Sequence, residues 1–220
     1  MSEHGNQRCG AVPPVLSSRE AMVDERGTAA IPEGTREIFD MAFQGNPQLV
    51  RVVLPDSVRK VGSRAFAGCE NLREVHLNDG LEILEGNVFN GCSRLEELVL
   101  PASLRKVHAY AFNHTSFRTP LYDRSGTILY HYPEQAPVTF FAVPQRVKRL
   151  AHGAFLECAA LKEVHLPEGL EVIERKAFVN TAIRSITIPA SVKAVEGLAF
   201  WNCRNLEQVE LLCDSRAVDT

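Results

Sequence analysis

The sequence predicts an α/β solenoid, one stack of short coils that each contribute a parallel strand and a short helical turn. Three observations carry this. Phe43, Phe66, Phe89, Phe112, Phe155, Phe178 and Phe200 recur in phase, 22 or 23 residues apart except across one double interval of 43. Segments of the form apolar-x-apolar recur with the same period, as Val52-Val53-Leu54 before Pro55 and Ile186-Thr187-Ile188 before Pro189. Finally, LREVHLNDGLEILE at 72–85 returns as LKEVHLPEGLEVIE at 161–174, an offset of 89 residues, so a block of four coils is duplicated. Self-similarity of this period is the mark of a stacked-repeat architecture.

Counted from the position of Pro55, the coils run 32–54, 55–77, 78–100, 101–122, 123–143, 144–166, 167–188 and 189–211. The solenoid thus occupies 32–211, behind a polar capping segment at 1–31 and ahead of a tail at 212–220. Ser17 to Glu20 offers a capping box and predicts a helix from about Ser18 to Arg26 over the first coil. Within a coil the apolar-x-apolar run has period two, a strand with one buried face. Proline ends it because proline brings no N–H to the ladder. A second apolar pair, such as Val58 and Val61 or Leu81 and Leu84, turns back over the core. Ala-Phe then forms the helical turn, closed by Gly45, Gly68 or Gly91 in the left-handed conformation that a Cβ resists. One coil cannot bury its apolar face alone, whereas coils stacked about 4.8 Å apart bury it continuously. Coil 123–143 lacks the Ala-Phe pair. Its TILYHYP stretch alternates and is rich in β-formers, which predicts an irregular strand-rich coil or a protruding hairpin. Trp201, beside Phe200, is placed to cover the edge of the last coil.

Cys69, Cys92, Cys158 and Cys203 all fall three residues after the phenylalanine, where other coils carry Asn46, Thr115 and Thr181. Small, weakly polar residues that tolerate burial suit one tight corner, so these are reduced core thiols. Cys9 and Cys213 lie outside that ladder. Charges alternate from coil to coil, Arg59-Lys60 followed by Glu82 and Glu85 and then Arg105-Lys106, which favours stacking.

Charged residues make up 23% of the chain and hydrophobic ones 45%, as in an ordinary folded protein. A net charge of -3, with bases interleaved among acids, gives no pull toward nucleic acid. No apolar run is long enough to insert in a membrane, and the N-terminus shows no export signal. The chain as it stands is therefore expected in the cytoplasm, or at the cell surface or secreted if it is a fragment. No phosphate loop, HExxH, GxSxG or paired CxxC is present, so no catalytic residue, cofactor or metal is assigned. Asn113-His114-Thr115 fits a glycosylation sequon, but Thr115 belongs to the buried ladder. His108, His131 and His152 fall near the same place in three successive coils and could line one edge. That edge is the one arrangement suited to a metal- or substrate-binding enzyme. His76 and His165 are equivalent residues four coils apart, about 19 Å at the sheet spacing, and cannot share a metal.

Pro55 to Leu77, read as P-x-x-V-x-x-V/I-x-x-x-A-F-x-x-C-x-x-L-x-x-V-x-L, resembles the BspA-type leucine-rich repeat. DRSGTILYHYP resembles the interrupted repeats of that family, and the resemblance spans about 180 of 220 residues. It implies a right-handed, gently curved leucine-rich-repeat solenoid with strands on the concave face and short helical turns opposite. It also implies a binding protein, since members are mostly non-catalytic proteins of bacteria and protists. Many of them sit at the cell surface, and some adhere to host or matrix proteins.

The outward strand positions are then the candidate site. Val99, Leu121, Phe140 and Ala142 make an apolar centre, flanked by Glu74, His76, Glu97, Glu163 and His165. An apolar centre with a charged rim is how protein interfaces are commonly built. The expected function is binding of an unidentified protein partner through the concave face. The first alternative is the repeat module of a secreted or surface adhesin.

Overall fold

The computed structural model describes residues 15–17, 21–108 and 110–217 of the 220-residue chain. Its strands are short. In chain order they begin with β1 (Val15–Leu16), β2 (Met22–Val23), β3 (Ala29–Ala30), β4 (Glu37–Ile38), β5 (Arg51–Val53), β6 (Lys60–Val61), β7 (Glu74–His76), β8 (Ile83–Leu84) and β9 (Lys106–Val107). They continue with β10 (Leu121–Tyr122), β11 (Ile128–His131), β12 (Phe140–Ala142), β13 (Arg149–Leu150), β14 (Glu163–His165), β15 (Val172–Ile173), β16 (Ser185–Ile188), β17 (Ala194–Val195) and β18 (Gln208–Leu211).

Two sets of strands stack around the core. The second apolar pair of each coil, joined by β1 and β10, builds the short-strand ladder, β1-β4-β6-β8-β9 and then β10-β11-β13-β15-β17. The apolar-x-apolar segments build the long-strand ladder, in two parts, β5-β7 and β12-β14-β16-β18. Except between β10 and β11, pairing between successive coils is parallel and in register, with Val52 beside Val75, Phe141 beside Val164 and Ile186 beside Val209. Alternate side chains turn inward as the period requires, so Val52 and Val75 are buried while Arg51, Val53, Glu74 and His76 are exposed.

The expected helical turns do not form, and the molecule is a β-solenoid rather than an α/β one. A 3-10 turn at Ser215–Ala217 is the one helical element among the described residues. The cause lies in the backbone on either side of Ala-Phe. Met41 and Gly45, Arg64 and Gly68, and Asn87 and Gly91 all stand in the left-handed region, with φ between 57° and 77°. A right-handed helix cannot pass through such residues. The freed peptide groups bond to the next coil instead, Phe66 N–H to Val88 O at 3.0 Å and Gly68 N–H to Asn90 O at 2.7 Å.

Inside, the phenylalanines form a stacked column. Ring centroids lie 5.4, 5.6 and 6.3 Å apart from Phe43 to Phe112. They lie 5.0 and 5.2 Å apart from Phe155 to Phe200. The cysteines tie one coil to the last. Cys69 Sγ donates to Phe43 O at 3.0 Å and Cys92 Sγ to Phe66 O at 3.2 Å. Threonine at the same position bonds within its own coil, Thr181 Oγ1 to Phe178 O at 2.9 Å.

Coil five completes the column with Tyr132. Its N–H bonds Ala154 O at 2.7 Å, its ring lies 5.3 Å from Phe155, and Cys158 Sγ faces its carbonyl at 3.7 Å. Only two residues separate Leu129 from Tyr132, against four between Val61 and Phe66. The shortened turn draws His131 into the core, where it is 5% exposed. Phe112 consequently packs on Phe117 and His131, each at 5.9 Å, and the core divides here into two clusters. β10 runs antiparallel to β11, and β11 parallel to β13, so the expected hairpin is built into the stack.

At the N-terminal end, Ser18 to Glu20 lie outside the described residues. The expected helix to Arg26 is contradicted at Met22–Val23, a strand antiparallel to Ala29–Ala30. Asp24 makes this turn by accepting the N–H groups of Arg26 and Thr28 at 2.9 and 2.8 Å, and Gly27 sits at φ 79°. Val15–Leu16 stacks on Glu37–Ile38 and Thr28 bridges to Arg51, so coil register begins ahead of residue 32. At the other end Trp201 is 58% exposed.

Candidate binding face

The long-strand ladder carries most of the expected site, with one correction. Phe140 is 47% exposed and Val99 is 79% exposed, while Ala142, Glu74, His76, Glu97, Glu163 and His165 also face outward. Leu121 does not. It is 7% exposed and belongs to β10, where it pairs with His131. The irregular coil recruits this segment into the short-strand ladder, so the alternation that pointed Leu121 outward does not apply. Without Leu121, the expected apolar centre is left with Val99, Phe140 and Ala142.

That centre coincides with the interruption of the ladder. Among the described residues the backbone groups of 96–99 and 118–120 make no hydrogen bond. In a parallel pair alternate residues bond to opposite sides. Glu74 N–H and His76 O bond toward β5, so the peptide groups of Val75 face coil three. On the far side Thr139 O bonds toward β14, so those of Phe140 and Ala142 face coil four. Two sheet edges thus flank the gap, with polar backbone left to solvent. Sequence periodicity could not reveal this, because 97–99 reads as a strand like its neighbours. The shorter coils four and five were the available signal.

The rim is a repeated pair. His76 Nε2 donates to Glu74 Oε1, and Arg51 Nε lies 3.3 Å from Glu74 Oε2. His165 Nε2 stands 2.7 Å from Glu163 Oε1, the same arrangement one block later. The hydrogen bond from His76, with Arg51 beside it, holds the Glu74 carboxyl below its usual range. Each pair borders a depression of the face, about 530 Å³ beside Glu74 and Val99 and about 370 Å³ beside Glu163 and Thr187. Phe140 packs edge-on against His165, ring centroids 4.8 Å apart, joining centre to rim.

His108, His131 and His152 do come together, lining one narrow cavity of about 10 Å³. His131 is enclosed by Phe112 and Phe117, and burial pushes it down to about 4. His108 Nε2 stands 3.0 Å from Glu85 Oε2. His152 is half-buried and lowered by desolvation, then by Lys176 and Arg175. Among the described residues no three His, Cys, Asp or Glu side chains are grouped to hold a metal ion. Asn113, of the sequon, is 5% exposed. No helix among them is long and apolar enough to cross a membrane.

Comparison with known proteins agrees with this geometry. The family described as BspA type Leucine rich repeat region matches residues 27–133 and 128–218, in six copies. Among solved structures, the chain is similar to the pneumococcal vaccine antigen PcpA at 23% identity and TM-score 0.56, over 81% of this chain and 54% of that one. It is similar to a leucine-rich repeat protein of Eubacterium ventriosum at 17% identity and TM-score 0.56, over 89% and 70% of the two chains. A leucine-rich repeat protein of Bacteroides ovatus follows at 18% and 0.52, over 87% and 69%. The likeness is one of fold, and the chain spans about half the length of PcpA. No match is found among curated proteins.

Proposed function

The chain belongs to the BspA-type leucine-rich repeat family, and we propose that it acts without catalysis, binding a protein partner through the interrupted centre of its long-strand ladder. This ladder is the surface that curved solenoids of stacked repeats present on their concave side. The carrying observation is that Val99 and Phe140 are exposed where the backbone of 96–99 is unpaired. Large apolar side chains at the centre of a face are where binding energy concentrates. The open peptide groups add to this, since a partner's extended segment can bond to them as another strand would. The Glu-His pairs at the rim contribute steering and salt dependence. A setting within a secreted or cell-surface adhesin would change where this face meets its partner, and not the face.

The test compares affinity capture from the source cell by the natural chain and by a variant carrying Val99→Asp and Phe140→Asp. Both side chains are exposed, so circular dichroism and melting should be unchanged while the partner is lost. A folded double variant that retains the partner contradicts the proposal.

A further inference from the structure

At the seam between the two core clusters the shortened fifth coil leaves a cavity of about 460 Å³. Phe117, Tyr132 and Val138 line it, with Thr115, His131 and Glu134 as polar members. Glu134 has a structural task for one oxygen only. In regular coils the N–H at the fourteenth position bonds a carbonyl of the next coil, as Gly91 N–H does with Asn113 O at 2.9 Å. At the seam His114 N–H bonds Glu134 Oε1 instead, at 3.0 Å, and His114 Nδ1 reaches the same oxygen at 2.9 Å. The other oxygen, Oε2, is shielded from solvent without a partner, in a side chain 5% exposed. An ionised oxygen so placed is unfavourable unless a donor meets it, and among the described residues no side chain bonds to it.

The other polar groups are of the same kind. His131, 5% exposed, has ring contacts with Phe112 and Phe117 and no side-chain hydrogen bond among the described residues. Burial keeps it neutral, so one ring nitrogen is an acceptor. Thr115 Oγ1 donates to Phe112 O at 2.7 Å and retains its lone pairs. The cation at the rim, Arg118, is 79% exposed and turned toward Glu96 at 3.5 Å. The cavity therefore combines an apolar, partly aromatic wall with acceptors and the buried Glu134 carboxylate, the Glu96–Arg118 pair standing at its mouth.

We propose that this seam cavity binds a primary ammonium group on a short apolar stem, the ammonium at Glu134 and the stem against Phe117 and Tyr132. The volume is that of ordinary small-ligand sites. The inference does not depend on the protein-binding face.

Calorimetric titration of the full chain near neutral pH with n-butylamine and with n-butanol tests it. One equivalent of butylamine should bind, at least about tenfold tighter than the uncharged alcohol. Glu134→Gln keeps an acceptor for His114, so the melting curve should stay in place while the preference for the amine disappears. Val138→Trp, at an exposed rim position, should block both ligands without touching the fold. Nα-acetyl-lysine amide binding as tightly as butylamine would assign the site to a protein's lysine side chain. Much weaker binding would assign it to a free amine. Absence of saturable amine binding, equal binding of amine and alcohol, or full binding by Glu134→Gln would overturn the proposal.

Discussion

Arg64 shows how a residue can be essential to a turn without any chemical signature. It stands at φ 57° with an exposed side chain, in the tenth position of its coil. The same position holds Met41, Asn87, Tyr110, Lys176 and Leu198, all left-handed, and Gly153. Left-handed φ is unfavourable for residues with a Cβ, so Arg64→Gly should raise stability by up to about 1 kcal/mol in denaturant titration. Loss of stability would mean the side chain itself matters. The fourteenth position was legible in the sequence because Gly45, Gly68 and Gly91 occupy it. The tenth was not, because stacking imposes its conformation on whatever residue stands there. The cysteine ladder was legible too. Burial pushes Cys69 up to about 11 and raises Cys92 and Cys158 as well. These three should react with a thiol reagent only on unfolding, while partly exposed Cys203 reacts slowly in the native protein. Rapid native labelling of Cys92 would contradict the placement. His131 is lowered to about 4 from an ordinary 6.5, so between those values the unfolded chain binds a proton that the folded one does not. Stability should fall as pH drops through that window, by up to about 3 kcal/mol, and be flat above it. His131→Leu should remove that part of the slope in urea titrations at pH 7 and pH 5.

The elements make a different point about neighbours. Ile186 and Val209 occupy equivalent places in successive strands, yet Ile186 is 3% exposed and Val209 is 44% exposed. β18 has a strand on one side only, and Leu211 and Leu212 are likewise open at 44% and 51%. Burial here comes from the next coil rather than from the residue's own pattern. Ile186→Ala should therefore cost about 2–4 kcal/mol, and Val209→Ala well under 1, in paired melting experiments. Equal losses would show that β18 is covered in solution. The same reasoning explains Leu121. Its alternation matched an outward strand position, but the two residues missing before Tyr132 rearranged which strand it joined. Tyr132 itself escaped notice as the column aromatic because the shortening moved it out of phase with the phenylalanines.

For the whole molecule, the period of the coils and the duplication at 89 residues were present in the amino-acid order, because each coil repeats the same burial problem. The interruption was not, since it arises between coils whose individual patterns are regular. It is also where the account places function. Amide hydrogen exchange reads it directly. In the free protein the amides of 96–99 and of Phe140 and Ala142 have no backbone partner in this arrangement and should exchange quickly, while those inside β14 and β16 are protected. Addition of the captured partner should slow exchange at 96–99, Phe140 and Ala142 and leave the Ala-Phe turns unchanged. Protection confined to those turns, or to β18, with the centre still exchanging freely, would contradict binding through the interrupted face.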